Sequence, residues 1–200
     1  MYWDYHQIKV MTQIIGVINN KMIKPTLLLI SDLLGNSNAD YLLKYESLLE
    51  SRFAVSKVDV CKLAEIHNSK EIDPNHSAFI NEGGLTKSVK NLQKQYTGSI
   101  DFLIGFSIGG TVAWQACLQN LSVRRLICIS STRLRKETQK PNCIIDVYYG
   151  KKDNHRPNQN WKLLSRLETK IIAGVGHEFY KRDEYIKSFC LELKNKIYAK

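Results

Sequence analysis

The stretch IDFLIGFSIGGTVAW, Ile100 to Trp114, constrains the possible fold more than any other. Ile100, Phe102, Leu103 and Ile104 read as a buried strand, and Val112, Ala113 and Trp114 read as the start of a helix. Ser107 stands at the corner between them, with Gly105, Gly109 and Gly110 around it. At positions 109 and 110 a side chain would collide as the backbone reverses from strand to helix. A serine on so sharp a turn has its hydroxyl pushed out where a substrate can meet it. G-x-S-x-G alone arises by chance in roughly one chain of this length in fifteen. It carries weight here because a strand precedes it and a helix follows it.

The rest of the chain repeats that alternation. TLLLIS (Thr26 to Ser31), FAVSKVDV (Phe53 to Val60), VRRLICIS (Val123 to Ser130), CIIDVYYG (Cys143 to Gly150) and ETKIIAG (Glu168 to Gly174) are further strand candidates. YLLKYESLLESR, GLTKSVKNLQKQY and DEYIKSFCLELKNKIY have helical periodicity. Strands alternating with helices predict an α/β fold, a three-layer α/β/α sandwich around a mostly parallel sheet. Residues 1 to 22 read as one or two strands, and Cys61 to about Asn75 is polar and shows no periodicity. No linker or repeat divides the 200 residues, so one domain over residues 1–200 is expected.

Composition narrows the function classes. Hydrophobic residues make up 44%, enough for a real core, and no apolar run reaches the length of a membrane span. The N-terminus MYWDYHQIKV lacks the layout of a secretory signal, and a cytoplasmic location is expected. The five cysteines are scattered and without CxxC spacing, which argues for reduced thiols rather than disulfides or zinc. Cys117, Cys128 and Cys190 sit among apolar neighbours and are expected to fill core. The net charge of +10 is spread along the chain without a nucleic-acid-binding motif, so no nucleic-acid partner is expected. No metal or redox cofactor is implied.

A serine hydroxyl needs a base to become a nucleophile, and the base needs an acid to orient it. On an elbow-bearing sheet these follow in chain order, acid then histidine, on loops after later strands. VYYGKKDNHR places Asp153 just after one strand, and IIAGVGHEFY places His177 in a glycine-rich loop after the last strand. His6, His67, His76 and His155 do not occupy that last loop and read as solvated loop histidines. Asp146 falls inside a strand, while Asp183 and Glu184 suit the first turn of the final helix. Glu178 reads as a helix-start residue. SSTRL, at the preceding strand end, holds no carboxylate, which favours Asp153 as the acid.

GFSIGG, the glycine-x-x-aspartate of Gly150 to Asp153 and the pair Gly176–His177 together resemble the α/β-hydrolase superfamily, over about Thr26 to Tyr198. The resemblance implies Ser107 as nucleophile, His177 as general base and then acid, and Asp153 as the residue orienting the imidazole. Two backbone amides should hold the oxyanion: that of Ile108, and one from the loop after TLLLIS, Leu33 ahead of Asp32. Many members carry a His-Gly pair in that loop, whereas this chain has Ser31-Asp32.

The activity expected is hydrolysis of a small carboxylic ester or thioester. A non-catalytic ligand-binding or scaffold protein on the same fold, and an acyltransferase, are the alternatives. STRLRKETQKPN, between Ser130 and Cys143, is too short for a lid domain. The site should therefore be open, or covered by that loop alone, with little apolar volume. Arg133, Arg135, Lys136 and Lys140 on this loop, with Lys151, Lys152 and Arg156 on the acid's loop, would give a basic rim attractive to anionic substrates.

Overall fold

The computed structural model describes residues 23–35, 40–66 and 72–197. Six strands form one sheet: β1 (Thr26–Ile30), β2 (Ala54–Val58), β3 (Ile100–Phe106), β4 (Val123–Ile129), β5 (Ile144–Gly150) and β6 (Thr169–Ile172). Their order is β2-β1-β3-β4-β5-β6 and every pairing is parallel, so the sheet is parallel throughout. The helices are α1 (Asp40–Leu49), α2 (Val60–Ala64), α3 (Ile72–Asn81), α4 (Gly84–Gln95), α5 (Ile108–Leu118), α6 (Gln159–Ser165) and α7 (Asp183–Lys196).

Parallel strands covered on both faces read as continuous apolar runs, and β1 shows why. Leu27 and Leu29 pack into one core with Tyr45 of α1 and Phe189 of α7, while Leu28 and Ile30 pack into a second core with Leu92 of α4 and Val112 of α5. These two cores are the seams of a three-layer α/β/α sandwich. Ile108 to Trp114 at the start of α5 are all buried, so that helix is apolar all round. Acidic Asp183 and Glu184 open α7 and Lys194 and Lys196 close it, each matched to the helix dipole. Cys128 and Cys190 are buried as expected; Cys117 is only half-buried, and Cys61 is buried too.

The polar stretch after β2 holds α2 and part of α3. Asp59 caps α2, its carboxylate accepting from the Cys61 and Lys62 amides. Phe79 of α3 is fully buried. The one or two strands expected within residues 1–22 lie outside the described residues. Because β2 and β3 flank β1 on opposite sides, the winding reverses between β1 and β3. In open α/β sheets the crevice beyond the carboxyl ends at such a reversal is where ligands bind. Ser107 follows β3 directly at that edge.

Candidate active site

Ser107 sits between β3 and α5 with φ 51° and ψ −120°, a conformation that side chains rarely adopt. Its amide still donates to Ile129 O of β4 at 2.9 Å, and its carbonyl accepts from the Gly110 amide at 3.2 Å. A Cβ on Gly109 would lie 2.2 Å from the Ser31 carbonyl oxygen, and one on Gly110 would lie 1.8 Å from Ser131 Oγ. The glycines let the first turn of α5 press between the ends of β1 and β4.

The hydroxyl opens a chain of hydrogen bonds. Ser107 Oγ lies 3.0 Å from His177 Nε2, and His177 Nδ1 lies 2.9 Å from Asp153 Oδ2. Burial pushes the Asp153 carboxyl up, but the hydrogen bonds from the His177 ring and the His155 amide outweigh it and hold its pKa below the usual value. An ionised carboxylate only accepts, so Nδ1 carries the proton and Nε2 presents a lone pair to the serine. Asp153 Oδ1 accepts from the His155 amide at 2.8 Å, and the Asp153 amide donates to Gly150 O at 3.1 Å. Ser130 Oγ donates to the His177 carbonyl at 2.7 Å, which ties the histidine loop to the end of β4.

Of the two amides weighed beside Ser107, that of Asp32 donates to Tyr41 Oη at 2.9 Å. The amides of Leu33 and Ile108 have no partner among the described residues. The Asp32 carboxylate, standing where a His-Gly pair was the comparison, braces the loop: it accepts from the Leu34 amide, Tyr180 Oη and Lys181 Nζ at 3.2, 3.0 and 2.9 Å.

Ser107 and His177 open into a cleft of about 270 Å³. Its walls depart from the expectation of cover by one loop. The segment after β4 contributes Thr132, Arg133 and Arg135, but Phe79 and Ile80 of α3 and Leu33 and Leu34 after β1 supply an apolar side. His76 and His155, expected to be solvated loop residues, line the cleft; the rings of His155 and His177 lie 5.2 Å apart, edge to face. His6 and His67 lie outside the described residues. The basic rim contracts to Arg133 and Arg135; Lys136, Lys140, Lys151, Lys152 and Arg156 do not line the cleft. Asp146 is held by Arg125 at 2.6 Å, Asp183 by Lys44 at 2.7 Å and Glu178 by Lys181 at 2.6 Å, so these carboxylates serve ion pairs.

No family model matches the sequence, and no curated protein matches it either. Solved structures do resemble it. A dienelactone hydrolase-like promiscuous phosphotriesterase from metagenomic libraries superposes with a TM-score of 0.65 at 11% identity, over 86% of each chain. Est1E from Butyrivibrio proteoclasticus gives 0.60 at 14% identity, over 90% of this chain and 89% of its own. An esterase domain from a Rhodothermus marinus protein gives 0.55 at 11%, over 88% and 89%. At these identities the likeness is one of fold, and the fold is that of the α/β hydrolases.

Proposed function

We propose that this chain is a serine hydrolase that cleaves a carboxylic ester or thioester through an acyl-enzyme on Ser107. The observation that carries the reading is the unbroken Ser107–His177–Asp153 hydrogen-bond chain at the mouth of a cleft. Ser107 Oγ attacks the carbonyl carbon while its proton passes to His177 Nε2. The Ile108 and Leu33 amides receive the charge that develops on the carbonyl oxygen. Collapse breaks the bond to the leaving alcohol or thiol, which takes the proton from Nε2. Water then attacks the acyl carbon, gives its proton to His177, and releases the acid as Oγ recovers a proton. An esterase domain among the solved structures of similar fold supports the same reading.

A binding or scaffold protein on this fold has no need of a hydroxyl, imidazole and carboxylate in that order. A fluorophosphonate probe should label the wild type and spare Ser107→Ala. A folded wild type that stays unlabelled would overturn the reading in favour of a binding protein. Product analysis with water and with added alcohols separates hydrolysis from acyl transfer.

A further inference from the structure

We propose that the substrate carries a carboxylate that enters the cleft together with its scissile bond, and that Arg133 is the residue that holds it. The inference rests on the hydrolase reading above. Arg133 is half-buried and lines the same cleft as Ser107, and its guanidinium makes no hydrogen bond or ion pair among the described residues. A guanidinium drawn partly out of water ordinarily recovers its lost hydration from a carboxylate. Those at hand are engaged: Asp32 and Glu178 share Lys181, and Asp153 receives His177.

The other guanidinium of the cleft adds charge without removing the vacancy. Arg135 Nη1 donates to the carbonyls of Thr132 and His155 and to His155 Nδ1, and it too has no carboxylate among the described residues. A guanidinium can only donate, so His155 Nδ1 accepts, and the neutral ring keeps its proton on Nε2. Burial above all, with the nearby Arg135 cation, holds the His155 pKa below the usual value, so the neutral ring is the favoured form. This wall therefore offers one uncommitted planar cation and a second hydrogen-bond donor. One carboxylate matches one free guanidinium in charge and in the spacing of its oxygens. The apolar lining of Leu33, Leu34 and Ile80 suits the hydrocarbon part of the same small molecule.

The test uses two matched ester pairs. Para-nitrophenyl hydrogen adipate and its methyl ester vary charge on the acyl side; para-acetoxybenzoate and its methyl ester vary it on the leaving side. In Arg133→Gln the ratio of kcat/KM, charged over neutral, should fall about tenfold or more in at least one pair, the worth of a charge-assisted bond. Arg133→Lys should keep part of the preference. A ratio that moves less than about twofold in both pairs would put Arg133 among exposed surface charges and overturn the proposal. A binding arm separates this outcome from failure of the hydrolase reading. Calorimetric titration of Ser107→Ala with monomethyl adipate should show binding that dimethyl adipate lacks and that Ser107→Ala/Arg133→Gln loses. If the esters are not turned over and Ser107 is not labelled, the hydrolase reading falls. The titration still decides Arg133, and absent carboxylate binding overturns its role.

Discussion

Ser107 combines two demands that conflict. Its φ of 51° and ψ of −120° suit glycine, yet the proposed chemistry needs a hydroxyl there. Backbone held in such a region costs about 1–3 kcal/mol and persists only where surrounding structure enforces it. Here β4 holds the serine amide and the first turn of α5 holds its carbonyl. Ser107→Gly and Ser107→Ala both remove the hydroxyl, and they differ mainly in that strain. Ser107→Gly should be the more stable by about 1 kcal/mol in urea unfolding, after the entropy of a glycine in the unfolded chain is charged against it. Equal midpoints would mean that the elbow is relaxed. Asp153 makes the complementary case, since its buried carboxylate has its oxygens satisfied by His177 and the His155 amide. Asp153→Asn should fold yet lose activity by about four orders of magnitude, the size of that change in a serine protease triad, because an amide cannot hold the imidazole in the required tautomer. Near wild-type turnover would reassign the acid.

At the scale of elements, the close approach of α5 to β1 is set by position 109. In Gly109→Ala the new methyl would meet the Ser31 carbonyl at 2.2 Å, and backbone cannot swing aside as a side-chain end can. Destabilisation of about 2–3 kcal/mol is expected, read as a lowered urea midpoint, because the helix must shift off the sheet. This turn was legible because strand, glycines and helix are contiguous, and the loops bearing Asp153 and His177 were legible because each follows a strand candidate that is rich in β-branched or aromatic residues and ends in glycine. The helices α2 and α3 were not. The first is five residues long and leans on the Asp59 cap, and the second is held by tertiary burial of Phe79 rather than by periodicity. Missing α3 hid the apolar wall of the cleft and the place of His76 in it. His155 was missed because nothing local shows that its loop folds back over His177.

A second element-scale prediction concerns the cluster that ties α7 to the sheet. Glu192 of α7 meets Lys170 of β6 and Lys196 at 3.0 Å each, and Lys196 reaches Asp146 of β5 at 3.3 Å. Partial burial pushes the Glu192 carboxyl up, but the hydrogen bonds from Lys170 and Lys196 prevail and hold it at about 2. A carboxyl depressed on folding adds stability that is whole above its unfolded pKa, about 4.3. That stability drains as pH falls towards the folded value. Glu192→Gln should therefore lower the urea midpoint at neutral pH, with the gap to wild type closing between about pH 5 and pH 2. The side chain is 44% exposed, so screening keeps the neutral-pH loss below about 1 kcal/mol. A gap independent of pH would assign the loss to packing.

At the scale of the whole molecule, alternation of strands and helices specified a layered sheet but left its strand order open. Several orders satisfy the same alternation, and the reversal between β1 and β3 follows from which helices cover which face. The charge is the other whole-molecule property: +10 over 200 residues, with Arg133 and Arg135 the only lysines or arginines lining the cleft among the described residues. Two effects on an anionic substrate can thus be separated. A distributed positive field acts on encounter and depends on salt, because the Debye length falls from about 10 Å at 0.1 M to about 3 Å at 1 M. A contact with half-buried Arg133 is screened much less. For wild type, kcat/KM on para-nitrophenyl hydrogen adipate should decline across that salt range while the methyl ester changes little. The factor lost in Arg133→Gln should survive at the high-salt end. Parallel salt curves for the two esters would mean that the distributed charge does not steer substrate, leaving it a property of the surface. Loss of the Arg133 factor at 1 M would mean that this residue, too, acts only as part of the field.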